Sequence, residues 1–238
     1  MKSRNRVLNS LAPPLLDALA SFTAVTNLSS GDVLFEPDRS VDRVYFPNTA
    51  VLSVVTVMED GRTVECDTVG YESAVGLLEA LSGSRAVSRT FTQIPGTAVA
   101  IRAQSLRTLA EANPDLRSTL LRHAQANLAQ AHQSVACNAL HSVEQRLCRW
   151  LLASHDRTTS DVIQLTQQYL ATMVGVQRTT ITQALQELAK AGVIRQGHRQ
   201  VQVLSRRGLE QRACECHGTL QSTLDRLLGK EGAPHQLA

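Results

Sequence analysis

From Gly31 to about Ile101 apolar residues alternate with polar ones, and turn residues punctuate the pattern. The β-branched run Val51–Val57, the turn Glu59-Asp60-Gly61 and the returning segment Arg62–Val69 predict a hairpin. A second hairpin is expected from Val87–Ile94 through Pro95-Gly96 into Thr97–Ile101. Short strands at this spacing suggest an antiparallel sandwich or barrel.

Pro114 opens a different regime, because proline is tolerated in the first turn of a helix. No Gly or Pro occurs from Asp115 to Leu140. Leu121, Ala124, Leu128, Ala131, Val135 and Asn138 recur there at spacings of three and four, a heptad seam. Small Ala alternates with larger residues, which suits close approach of a twin helix; the alternative is a face packed within the chain. Leu116 and Leu120, on a neighbouring face, are expected to pack on the β-domain. Ser142 starts another amphipathic helix with Leu147, Trp150 and Leu151 inward, and Asp156 to Asp161 reads as a polar linker.

Residues 165 to 204 carry the most specific pattern. Thr166 is a plausible N-cap for a short helix through Met173, and Gly175 permits a sharp turn. A second helix is expected from Arg178 to about Ala191, with Ile181, Leu185 and Leu188 inward. Arg178, Thr179, Thr182, Gln183 and Gln186 face outward. Gln177 is a poor N-cap. Gly192 sits where a left-handed C-cap belongs, followed by strand, turn and strand from Val193 to Leu204. Two helices across a glycine turn, then a hairpin with a basic tip, make a winged helix-turn-helix.

Such a helix fits the major groove of double-stranded DNA. Arg178 can fork onto guanine, Gln183 can pair with adenine, and Thr179 can touch a thymine methyl. Thr180, Arg195, His198 and Arg199 suit phosphate contacts, which position without specifying. The same geometry also serves protein docking, which leaves a ligand-sensing module with a protein partner as the alternative. Charge agrees with a polyanion binder: residues 139–212 carry ten Lys/Arg against five Asp/Glu, whereas residues 1–138 carry twelve against thirteen.

Leu165-Thr166-Gln167-Gln168-Tyr169-Leu170-Ala171-Thr172-Met173-Val174-Gly175-Val176-Gln177-Arg178-Thr179-Thr180-Ile181, continued through Leu188, Ala191-Gly192 and Val193-Ile194, resembles the DNA-binding domain of the Crp–Fnr superfamily of bacterial regulators. The resemblance covers nearly the whole chain and implies an α+β fold. Residues 1–112 would be a cyclic-nucleotide-binding-like antiparallel β-barrel, 113–139 a dimerisation helix, 140–212 the winged helix-turn-helix, and 213–238 a C-terminal helix and tail. It further implies a cytoplasmic homodimer on a palindromic operator, an effector in the barrel, and RNA polymerase as a further partner.

Departures from the cyclic-AMP receptors are visible. Ala74-Val75 stand where a Gly-Glu pair is expected, and Ala86 follows Arg85 where a hydroxyl residue is expected. Arg85 is then the one remaining ligand candidate, and cyclic AMP should bind poorly. In the recognition helix, Thr179 and Gln183 replace a Glu and an Arg of those receptors, so a different operator is expected.

Five cysteines at irregular spacing (Cys66, Cys137, Cys148, Cys214 and Cys216) argue against a disulfide framework and for a reducing cytoplasm. None precedes Cys66, unlike the iron–sulfur members of the superfamily. Cys214-Glu215-Cys216-His217 invites a metal reading, but two residues apart on a helix diverge, so no metal site or cofactor is expected. Cys137 is expected to be a small buried hydrophobe. His123, His132 and His141, nine apart, are expected to be solvated or interfacial. No nucleophile elbow, paired-carboxylate motif or phosphate loop supports an enzyme. The opening apolar stretch is broken by Pro13-Pro14 and Asp17 and does not read as an export signal. No segment reaches the roughly 20 apolar residues of a membrane span.

Overall fold

Asn5 caps the first helix of the chain, α1 (Arg6–Asn9), and α2 (Pro13–Ala20) follows. The alternating region then folds as β1 (Thr23–Leu28), β2 (Val33–Phe35), β3 (Arg43–Pro47), β4 (Val51–Val57) and β5 (Thr63–Val69). After these come α3 (Leu77–Ser82), β6 (Arg89–Ile94) and β7 (Gly96–Arg102). The computed structural model describes residues 3–228; the tail expected beyond residue 228 lies outside the described residues.

The strands form two antiparallel sheets, ordered β1-β7-β3 and β2-β6-β4-β5. Leu28, Phe35, Leu52, Val69 and Ala98 fill one apolar core within this domain. The β4–β5 hairpin is the expected one, with Gly61 at φ 81° in its turn. The second expected hairpin does not form. β6 pairs with β2 and β4, whereas β7 pairs with β1 and β3, so the chain changes sheet at Pro95. Proline cannot donate to a ladder. At Gly96 the backbone comes so close to Thr49-Ala50 that a Cβ would lie 2.5 Å from the Ala50 nitrogen.

Two helices carry the chain away from the sheets. α4 (Ala103–Ala112) precedes α5 (Pro114–Leu140), whose N-cap Asn113 accepts from the Leu116 N–H. Leu116 and Leu120 are fully buried against Val44, Phe46 and Leu106, as expected. α6 (Val143–Arg157) begins with a capping box between Ser142 and Gln145. Then come β8 (Val162–Gln164), α7 (Gln167–Val174), α8 (Arg178–Lys190), β9 (Ile194–Gly197) and β10 (Gln200–Val203). The described chain ends with α9 (Arg206–Arg212) and α10 (Cys216–Leu228). Asp156 and Arg157 belong to the last turn of α6, not to a polar linker: both are held by ion pairs that keep the helix wound.

The winged unit docks on the outer face of the four-stranded sheet. Its core of Leu147, Leu151, Leu170 and Leu185 continues into Val55, and Phe91 meets Tyr169 edge-on with ring centroids 5.7 Å apart. Polar groups lock this contact. A register irregularity at Val54/Val55 leaves Cys66 unopposed and re-aims the flanking carboxylates. Glu65 accepts from Ser53 Oγ (2.7 Å) and from Trp150 Nε1 of α6 (2.8 Å). Arg157 donates from Nε to Glu72 Oε1 (2.9 Å) and from Nη2 to the Thr68 carbonyl (3.0 Å). Gln130 of α5 donates to Asp67 and, at 2.8 Å, to the Thr68 carbonyl.

Burial pushes the Asp67 carboxyl up to about 8; Arg157 opposes the shift, and Glu72 and Glu65 add to it. An unfolded Asp titrates near ~3.9. Between those values the native chain holds a proton that the unfolded chain has released, so stability falls as pH rises through this window. The Asp67→Asn variant keeps an acceptor for Gln130 and removes the titration. It is expected to gain about 1 kcal/mol at pH 8, roughly 2–4 °C in Tm, and to flatten the decline between pH 6 and 8. Thermal melts across pH check this; a variant as pH-sensitive as the parent would contradict it.

Candidate nucleic-acid interface

α7, the turn at Gly175 and α8 form the helix-turn-helix. Thr166 Oγ1 caps α7 by accepting from the Tyr169 N–H, and Gly175 sits at φ 70°. Gly192, also at φ 70°, ends the α8 segment in the left-handed conformation. Gln177 makes no side-chain cap, as expected. Ile181, Leu185 and Leu188 are buried, so the helix is held by one face only. Thr182 Oγ1 donates to Gln167 Oε1 (2.9 Å) and fixes α8 against α7. Arg146 of α6 donates to the Val174 carbonyl (2.9 Å), supporting the turn from below.

The opposite face of α8 is free. Arg178, Thr179, Gln183 and Gln186 are exposed, and Thr180 is half-buried at the rim. β9 and β10 pair from Ile194↔Val203 to Gly197↔Gln200, so His198 and Arg199 form the exposed tip of the wing. Arg199 adopts φ 55°, uncommon for a residue with a side chain. Arg178, His198 and Arg199 border one open cleft of about 500 Å3 between α7, α8 and the wing. Arg195 lies on the wing's other flank and donates to Gln202 Oε1 (3.3 Å). β8 adds a third strand to the wing through β10. Three residues are too short a run to read by alternation, and the sequence pattern missed it.

The long helix α5 splits the heptad positions. Leu121, Leu128 and Val135 are 45%, 52% and 70% exposed, an apolar row left uncovered by the described residues. Ala124 is buried, and Ala131 and Asn138 are half-buried; Asn138 accepts from Arg146 (3.2 Å). Residues three apart on a helix of 3.6 residues per turn differ by about 60° in direction, which turns the second row toward the chain's own domains. His123, expected to be solvated or interfacial, is buried near Arg6 and Arg122; burial lowers its pKa to about 4 and leaves it neutral.

Between the four-stranded sheet and α5 lies a cavity of about 230 Å3 bordered by Ala74, Val75, Asp67, Glu79, Thr90 and Asn127, among others. Its described lining holds two carboxylates and no Arg, Lys or His. Arg85 is not brought to it: the side chain is exposed and donates to the Asp38 carbonyl (3.2 Å). Asn127 of α5 joins the cavity wall, accepting from Ser73 Oγ (2.6 Å) and donating to the Ala74 carbonyl (2.9 Å).

Comparison with known sequences and structures agrees with this anatomy. The Crp-like helix-turn-helix domain matches residues 145–212, and the cyclic nucleotide-binding domain matches residues 25–113. The transcriptional regulator SdrP of Thermus thermophilus is 27% identical over 195 residues, 79% of this chain and 93% of that protein. A CRP-like cAMP-activated global transcriptional regulator of Mycobacterium tuberculosis is 24% identical over 221 residues, 89% and 97% of the respective chains. The structure of FixK2 from Bradyrhizobium japonicum superposes with a TM-score of 0.70 at 17% identity, covering 81% of this chain and 98% of that one. With both domains matched in order, the chain belongs to the Crp–Fnr superfamily of transcription regulators.

Proposed function

We propose that this regulator acts as a homodimer that reads a palindromic operator with two copies of α8. The observation that carries the reading is the division of α8 into a buried apolar face and a free polar face beginning at Arg178. Arg178, Thr179 and Gln183 reach base edges; Thr180, Arg195, His198 and Arg199 meet phosphates. The twin helices are brought together by the row Leu121, Leu128 and Val135 of α5, with half-sites spaced by about one turn of DNA, ~34 Å. RNA polymerase is the further partner of this reading, and the compartment is the cytoplasm. The effector is not cyclic AMP: a phosphate in the cavity would find no Arg, Lys or His among the described lining residues to offset its charge. At about 230 Å3 the cavity is also smaller than the ~300–1,000 Å3 usual for ligand pockets.

Arg178→Ala is expected to weaken binding to a selected operator by about 1–3 kcal/mol, roughly 5- to 150-fold, with random DNA bound almost as before. Titrations of both DNAs decide it; equal loss on both would remove base reading from Arg178. Affinity should also fall steeply with salt, whereas a salt-insensitive complex would point to protein docking instead.

Val135→Lys, at the most exposed of the three seam positions, is expected to give monomers in sedimentation velocity, and Leu128→Lys to do the same. A dimer unchanged in both variants would place the subunit contact elsewhere.

A further inference from the structure

The end of α5 and the start of α10 bring together a group that neither the helix-turn-helix nor the β-domain cavity uses. Cys137, His141, Cys214 and Cys216 each point a ligand atom into one spot, all within 4.8 Å of one another. Cys137 Sγ lies 3.5 Å from Cys214 Sγ, and Cys216 Sγ lies 3.5 Å from His141 Nδ1. The three thiols are buried and the imidazole is half-buried. We propose that these four side chains hold one structural zinc ion.

The distances suit the ion. Four ligands at about 2.0–2.3 Å around a tetrahedral zinc stand roughly 3.5–3.8 Å apart, and the two separations above already have that size. Ligand atoms this close leave room for one ion, not for a two-iron cluster, whose bridging sulfides would push the pairs apart. Three thiolates and one imidazole form a closed four-ligand set, the donor chemistry of structural zinc rather than of magnesium, calcium or manganese.

A second layer of contacts points the same way. His141 turns Nδ1 toward the thiols and Nε2 toward Glu215, 3.1 Å from its carboxylate, the orientation in which a carboxylate fixes a metal-bound imidazole. Gln133 Nε2 donates to Cys216 Sγ at 3.0 Å, a contact that stabilises a thiolate. Cys216 also opens α10, where the helix dipole favours negative charge.

The expected divergence of Cys214 and Cys216 does not occur, because Cys214 precedes α10 and only Cys216 lies on it. The second ligand pair is Cys137 and His141, one turn apart across the C-terminal end of α5. An ion here joins residue 137 to residue 216 and closes the whole winged unit into a ring anchored on α5.

Full-length protein purified without chelator under reducing conditions should contain one zinc per chain by elemental analysis. Cobalt added to the metal-free chain should give thiolate-to-cobalt charge transfer and tetrahedral d–d absorption. Cys216→Ser and His141→Ala should lose the zinc, whereas Cys66→Ser, remote from the cluster, should keep it. The cobalt titration uses the unaltered sequence, so it decides the matter even if a variant misfolds. A metal-free native chain, an octahedral cobalt spectrum, a different metal at full occupancy, or full zinc in both ligand variants would each overturn the proposal.

Discussion

The placement of the winged unit depends on a few charges that have been taken out of water together. Arg157 and Glu72 are both nearly inaccessible, and each would carry a large desolvation cost without the other. Glu65 is buried beside them and depends on Ser53 and Trp150 to satisfy its oxygens; burial nonetheless raises its pKa. Breaking this contact would return those carboxylates and the guanidinium to water. Apolar packing between Val55, Phe91 and Tyr169 adds area to the contact, but the polar partners fix its geometry.

Asp67 is shared between this lock and the β-domain cavity, since its carboxyl borders both spaces. On one side it touches whatever the cavity admits. On the other it is tied to Gln130 of α5 and lies in the field of Arg157. One turn earlier on α5, Asn127 is bonded to Ser73 and Ala74 of the cavity wall. The cavity wall, the long helix and the docked α6 are thus joined through adjacent side chains.

What the sequence displayed was local. The β4–β5 hairpin, the α7–α8 pair and the wing turn each lie within a few dozen residues, and their apolar periodicity and glycines mark them directly. Sheet membership of β6 and β7 was not legible, because it depends on Gly96 meeting Thr49-Ala50, more than forty residues away. The lock was invisible for the same reason: Glu65 and Trp150 are 85 positions apart, and no spacing rule joins them. His123 reads as a surface residue until the packing of α1 on α5 covers it. The heptad seam was half legible, since the pattern contains both rows of α5 and only the fold decides which one stays open.

The cysteines sharpen the point about distance in sequence. Taken alone, Cys214 and Cys216 form an uninformative pair, and Cys137 and His141 form another. Each pair has a spacing that a ligand set can use, and each sits at a helix end, where backbone direction changes and neighbouring side chains can converge. The chain passes from Cys137 through the whole winged unit before it returns to Cys214, and α5 and α10 pack on each other across that long excursion. Closing so long a loop is entropically costly, and α10 offers only a modest apolar face, with Cys216 and Leu224 as its buried residues, to offset it. A bond between the two ends, rather than more apolar area, would then hold α10 against α5.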